Sequence, residues 1–308
     1  MIVLFIFSNK LNDLLDNVDC LTTLHMNMTP IDIPVPVSLE LLMSVAVEKC
    51  DGDIRSPMYT GMDFLSDGRL VVVDKSNGKL YVLDENLQRL RMYRLFGRRL
   101  DVAVVSEEEV AVTGGPYRFI EFLHISKNNY ISLTRMIPTT AQYNCICLMN
   151  DSRFLVNTIN DSRPMRMITF NGTDNDLDTL PEKPYRLNDS GSTYMRDTDI
   201  TVLTDRLDNT VYMYYNKEGR HALKYTVRDD RIKEPIGACQ GPNHSVFVCS
   251  LATHSIVQVS ASGRVLGSHT LDMQFPRTVC MSKDGQKVAV ANGALGNMKL
   301  QLFRVSDK

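Results

Sequence analysis

Tryptophan is absent from the 308 residues, and with it the Trp-Asp dipeptide that punctuates one large class of repeat proteins. Cysteine is sparse and awkwardly spaced: there are seven, an odd number, and no two stand in Cys-x-x-Cys spacing. Neither a disulfide framework nor a thiolate zinc site is suggested by that arithmetic. No apolar run is long enough to cross a bilayer as a helix. Met1 to Phe7 is apolar, but no positive segment precedes it and it stops at Ser8, which is too short for a signal peptide. The sequence also lacks a Walker A loop, a dinucleotide-binding glycine fingerprint, an H-E-x-x-H helix and a G-x-S-x-G elbow. A formal net charge of −2 excludes a globally basic nucleic-acid binder while leaving room for a local basic face. The expected location is cytoplasmic. Asn-x-Ser/Thr sequons such as those at Asn150 and Asn243 are then what an Asn- and Ser-rich set of turns produces by itself.

What the chain does contain is repetition. A turn-like cluster followed by a short alternating apolar run recurs at a period of forty-odd residues. The clearest copies are SDGRLVVVDKSNGKLYVLDENLQRL from Ser66, PNHSVFVCSLATHSIVQVSASGRVL from Pro242 and KDGQKVAVANGALGNMKLQLFRVS from Lys283. Weaker copies begin near Ser106, Asn150 and Asp197. A period of that length built from strands is the signature of propeller blades. Each unit divides into four strands, A to D outward from a central channel. In the first, Thr60 to Ser66, Arg69 to Asp74, Lys79 to Leu83 and Gln88 to Leu95 are separated by Asp67-Gly68, Ser76-Asn77-Gly78 and Asp84-Glu85-Asn86. These turn residues tolerate positive φ or bond their own backbone. The fourth unit is least regular: only Ile200 to Thr204, Val211 to Tyr215 and His221 to Val227 are clear, with Lys217-Glu218-Gly219 as the turn before the last.

The sixth unit ends with the chain after three strands. The stretch Leu39 to Glu48 has the length and β-branched content to supply the missing fourth, although SLELLMSVAV also carries helical spacing. Closing the ring with this N-terminal strand removes two exposed sheet edges, which favours the strand. The expected fold is therefore all-β: a six-bladed β-propeller of four-stranded antiparallel blades over residues 37–308, with blades at about 57–306. Residues 1–36 are expected to be an irregular or helical extension, turned into an extended linker by Pro30, Pro34 and Pro36.

Counting four residues back from Asp67, Asp151, Asn243 and Asp284 lands on Asp63, Cys147, Cys239 and Cys280, with Ala103 in the same slot of the second unit. A register of small residues points to a buried blade position where free cysteine acts as a compact hydrophobe.

The segments TGMDFLSDGRLVVVD, LDVAVVSEEEVAVT, NTVYMYYNKEGRHALKYT and SVFVCSLATHSIVQVSASGRVLGSH resemble the NHL class of six-bladed propellers. More narrowly, they resemble the C-terminal propeller of invertebrate tripartite-motif (TRIM) proteins. The resemblance covers about Pro57 to Ser306. It implies a substrate-recognition module of a ubiquitin-ligase family, and some propellers of this class bind RNA. No Cys/His pattern of a RING or B-box occurs in the sequence, so no catalytic activity is expected of this chain alone.

Catalytic and metal sites find little support in the residues. The slot where strand A opens onto the channel offers Gly61, Asp101, Cys145, Gly237 and Thr278. One carboxylate is far short of the six to eight oxygens that calcium takes, so a calcium-dependent propeller hydrolase is a minor alternative. No cofactor is expected.

The basic residues say more. Strands alternate in direction, so the B–C and D–A connections of every blade emerge at one end of the disc. Lys75, Arg98, Arg99, Tyr117, Arg118, Arg163, Arg206, Arg231 and Arg277 gather there by sequence. Cations with an aromatic residue for stacking suit an acidic or phosphorylated protein partner, or single-stranded RNA. By contrast, Arg89 and Arg91 fall on an outer strand, where a solvated blade edge is the plain reading.

Overall fold

The computed structural model describes residues 35–115, 117–177, 183–217, 220–293 and 297–307, with the side chains at 216, 217 and 220 set aside. The expectation for residues 1–36 falls almost wholly outside the described residues, as does the centre of the turn at Glu218-Gly219.

Six four-stranded antiparallel sheets follow one another along the chain as blades of a propeller, with no helix among the described residues. From the inner strand outward, blade 1 is Tyr59–Phe64, Leu70–Asp74, Lys79–Leu83 and Arg89–Arg94. Blade 2 is Val102–Val104, Glu109–Thr113, Phe119–Ile125 and Ile131–Pro138. Blade 3 is Tyr143–Asn150, Arg153–Thr158, Met165–Thr169 and a short outer strand, Asp174–Asp176. Blade 4 is Ser190–Met195, Ile200–Asp205, Thr210–Lys217 and Arg220–Val227; blade 5 is Pro235–Gly241, Ser245–Ser250, Ser255–Ser260 and Val265–Thr270. Blade 6 takes Pro276–Met281, Lys287–Asn292 and Lys299–Asp307 from the end of the chain, and its outer strand, Val37–Ala46, from the beginning.

The closing strand lies two residues earlier than the sequence pattern suggests. It pairs from Val37 opposite Asp307 to Ala46 opposite Lys299, with a bulge between Leu41 and Met43. The helical alternative loses because the ladder satisfies the backbone groups of Lys299–Asp307, which would otherwise form an open edge. The Val37 amide also donates to Gln258 Oε1 of blade 5 at 3.0 Å, tying the closing strand to its neighbour.

The burial pattern follows from stacking blades face against face. Strands B and C of blade 1, LVVVD and KLYVL, are buried at every position, whereas its outer strand RLRMYR is exposed or half-exposed throughout. A strand covered on both faces has no polar face to alternate with, so it reads as a continuous apolar run. The core accordingly comprises six separate clusters, each holding two adjacent blades together. The cluster between blades 6 and 1 joins Val72 and Tyr81 to Ala289 and Leu300. Inner strands converge closely around the channel, and glycine permits it: a Cβ on Gly237 would lie 2.3 Å from the carbonyl oxygen of Arg277 in the next blade.

The inner strand of blade 4, SGSTYM, is the element that apolar alternation misses. Five of its six residues are buried, yet four are Ser, Gly or Thr, because this strand lines the channel and packs through small polar groups.

Candidate functional site

The inner strands enclose a cavity of about 400 Å³ along the propeller axis. Cys147, Cys239, Cys280 and Ala103 all line it, and the same residues pack into the clusters between blades, so the small-residue register is a blade position that meets both the channel and the neighbouring blade. Enclosure by protein raises the Cys147 thiol to about 12. It also raises the Cys145, Cys239 and Cys280 thiols above their ordinary value, which leaves them neutral and poorly nucleophilic at physiological pH.

The two channel carboxylates are structural fasteners. Asp63 Oδ2 accepts from the Val104 amide of the next blade at 2.8 Å, and Asp101 Oδ2 accepts from the Ile146 amide of the blade after at 2.9 Å. Lys283 Nζ neutralises Asp63 at 2.9 Å. Among the described residues Asp101 has no such cation, and burial pushes its carboxyl up to about 7 against the pull of its hydrogen bonds. Among the described residues, no three His, Cys, Asp or Glu side chains converge as a metal-ligand set.

The basic residues of the B–C and D–A end divide into three groups. Arg163, Arg206 and Arg231 have acid partners. Arg163 pairs with Asp176 and lies 3.6 Å from Asp161. Arg206 reaches Asp189 at 3.0 Å and Glu234 at 3.2 Å, and Arg231 reaches Asp229 at 2.7 Å. Arg99 forms the second group alone, because the fold withdraws it from the surface. It is fully buried, bound to Glu121 at 2.7 Å, with its guanidinium 4.4 Å from the Phe119 ring centre.

Lys75, Arg98, Arg118 and Arg277 make the third group: none pairs with a carboxylate among the described residues. Arg98 and Arg118 are exposed. Burial, with Arg277 and Arg98 nearby, pulls the Lys75 ammonium down to about 8. Arg277 lies in the channel wall at the start of the blade 6 inner strand, and its Nη2 donates to Asn188 Oδ1. Burial and the charge on Arg206 lower its guanidinium to about 10.

Beside Arg98 and Arg118 stands an aromatic group. The Phe96 and Tyr117 rings are 5.7 Å apart, and Tyr117 and Phe119 are 6.0 Å apart. Phe96 is 66% exposed and Tyr117 43%. Gly97, at φ +75°, makes this contact possible, since a Cβ there would lie 2.4 Å from the Tyr117 ring. Phe96 is absent from the sequence-based face. The signal for it was present: an aromatic residue before a glycine in a D–A connection, outside any strand period.

No family model and no curated protein matches the chain. Solved structures do match in fold. Aldose sugar dehydrogenase from Streptomyces coelicolor, in a PQQ-bound form, superposes with a TM-score of 0.61 at 14% identity, covering 89% of this chain and 99% of that one. Virginiamycin B lyase from Staphylococcus aureus gives 0.59 at 12%, covering 87% and 99%. The β-propeller domain of Cps50 (Swd1) from Myceliophteria thermophila gives 0.57 at 9%, covering 80% and 84%. At such identities the likeness is one of fold, a β-propeller, and NHL or TRIM membership stays at the level of resemblance.

The expectation that this chain has no catalytic activity is corrected by these matches. A lyase and a dehydrogenase share the architecture, and lacking a RING says nothing about chemistry of other kinds. A propeller hosts both binding and catalysis, and its loops decide which.

Proposed function

We propose that this propeller is an interaction platform that holds an acidic or phosphorylated protein segment across its B–C and D–A end. Lys75, Arg98 and Arg118 contact the anionic groups, and Phe96 and Tyr117 form the apolar centre. The observation that carries this reading is the adjacency of exposed aromatic rings to cations without acid partners. Interfaces concentrate their binding free energy in aromatic and arginine anchors of that kind. The role matches that of the substrate-recognition propellers of TRIM-class ligases, which the repeats resemble.

A protein ligand is favoured over single-stranded RNA by the charges around the patch. Arg163, Arg206 and Arg231 are offset by Asp176, Asp189, Glu234 and Asp229, which interrupts the positive track that a phosphate backbone would follow between the exposed Arg186 and Arg228. Crosslinking in the native cell, scored separately for RNA and protein adducts, tests the reading. Protein adducts on Phe96–Arg98 and Tyr117–Arg118 are expected. Adducts dominated by RNA would overturn it, as would an affinity whose logarithm falls with log salt at about −0.7 per phosphate contacted.

A further inference from the structure

The aromatic group at the end of the disc continues down its side. In blade 2 the third strand, Phe119–Ile125, pairs with the outer strand, Ile131–Pro138. Phe119 stands opposite Pro138, Glu121 opposite Met136, Leu123 opposite Leu133 and Ile125 opposite Ile131. Directly opposed residues of an antiparallel pair share one side of the sheet. Leu123, Ile125 and Ile131 belong to the cluster that joins blade 2 to blade 1, so Leu133 and Met136 look toward blade 1 as well. They are 46% and 43% exposed.

The facing wall is the outer strand of blade 1. Its Arg91 stands opposite Val82 and its Tyr93 opposite Leu80, and Val82, Leu80 and Tyr93 belong to that same cluster. Contacts between the two blades bound the cleft at both ends. At one end the Phe96 ring lies 6.4 Å from the Phe119 ring. At the other, Arg69 Nη1 donates to the Ser126 carbonyl at 3.0 Å and to Asn129 Oδ1 at 2.6 Å. An apolar strip thus runs from Phe96 and Tyr117 past Met136 to Leu133. Single exposed apolar side chains occur on other outer strands, Met92 and Leu223 among them. The strip between blades 1 and 2 differs in leading into the exposed aromatic rings.

We infer that the cleft between the outer strands of blades 1 and 2 holds an extended protein segment of about eight residues, continuous with the one that the end of the disc engages. The outer strand of blade 2 is a sheet edge of eight residues. Its outward backbone N–H and C=O groups have no ladder partner, which suits an extended chain. Side chains on one face of that chain meet Leu133 and Met136. Arg91 on the wall and Arg98 at the mouth are exposed and pair with no carboxylate among the described residues. Acidic residues beside the segment's apolar ones are therefore favoured. A second copy of this chain would bring the same cations against themselves, which disfavours a symmetric pairing. The inference rests on the proposed platform and adds the path that the segment takes from it.

The test pans a random dodecapeptide phage library against the full chain and measures each selected peptide by fluorescence anisotropy. Enrichment of peptides with alternating apolar residues and flanking Asp or Glu is expected. Leu133→Ser combined with Met136→Ser should weaken their binding at least about tenfold, with circular dichroism checking the fold. Arg91→Glu, a change on the surface, should weaken it at least about threefold. Arg89→Glu should change it by less than about twofold, because Arg89 stands opposite Leu83 and faces blade 6. Unchanged binding in the double variant and in Arg91→Glu overturns the cleft; if Phe96→Ala still lowers that binding, the platform stands without it. Loss in the cleft variants with Phe96→Ala silent keeps the cleft as a separate docking site and removes the platform. A library that yields no peptide overturns the inference, as does a dimer in sedimentation that the double variant dissociates.

Discussion

Blades 3 to 5 and blades 6, 1 and 2 carry similar numbers of cations at the same end of the disc but differ in what surrounds them. Around blades 3 to 5, Arg163, Arg206 and Arg231 are held by Asp176, Asp189, Glu234 and Asp229, and only Arg186 and Arg228 of the arginines at that end lack an ion pair among the described residues. Around blades 6, 1 and 2, Lys75, Arg98, Arg118 and Arg277 meet a neutral amide, one another, or solvent, with the Phe96 and Tyr117 rings alongside. Charge that is paired within the protein brings little to a ligand, because the ligand must first displace the internal acid. On the proposed reading, what distinguishes the two sides is their missing counter-ions, a property that counting arginines cannot reveal.

The strongest way to break this contrast is charge reversal on each side. Lys75→Glu combined with Arg98→Glu is expected to weaken partner binding by about 100-fold, equivalent to about 2.7 kcal/mol. Arg163→Glu combined with Arg231→Glu should change it by less than about threefold. Calorimetry against the captured partner checks both. Comparable losses on the two sides would dissolve the distinction.

Gly97→Ala should come next. A methyl at a positive φ, directed into the Tyr117 ring, displaces one half of the aromatic anchor, and about a tenfold loss of binding is expected. The propeller should stay folded, because Gly97 lies in a loop outside the six core clusters. Circular dichroism alongside the binding assay distinguishes a local effect from collapse.

How much of this was legible from the residues differs between backbone and face. Asp67-Gly68 and Asp84-Glu85-Asn86 marked the first blade's turns, and the unfinished sixth blade pointed to its closing strand. Both are local signals, and both are realised within two residues. The inner strand Ser190–Met195 was not legible, because channel-lining residues are small and polar and show no apolar alternation. The standing of each cation was not legible either. Arg99 and Glu121 are 22 positions apart and Arg206 and Glu234 are 28 apart. Such pairs form only when neighbouring strands and loops come into register, so a sequence shows the charges but not their neutralisation.

A smaller effect should come from pH. Burial and two nearby arginines lower Lys75 from 10.5 to about 8. Anion affinity is therefore expected to fall several-fold as pH rises through about 8, and Lys75→Met should flatten that dependence. The sign for folding is opposite. Between about 8 and 10.5 the unfolded chain keeps the proton that the folded chain has released, so this group makes stability rise with pH across that window. Denaturant titrations of wild type and Lys75→Met at pH 8 and 10 compare the two slopes.

The smallest effect belongs to the outer strand. Arg89 donates to the Glu48 carbonyl at 2.7 Å and lies 4.9 Å from the Tyr81 ring centre, so it braces the ring closure, away from the proposed binding face. Arg89→Glu should cost about 1 kcal/mol of stability and alter partner affinity by less than about twofold. A larger loss of binding would place the functional surface on the rim of the disc.

The central claim is that binding follows the unpaired cations and the aromatic rings beside them. It is tested most directly by placing a photocrosslinking side chain at position 96 in one variant and at position 163 in another, then irradiating each in the native cell. The account predicts discrete protein adducts from position 96 and background from position 163. Adducts of equal yield at both positions, or adducts from position 163 alone, would contradict it.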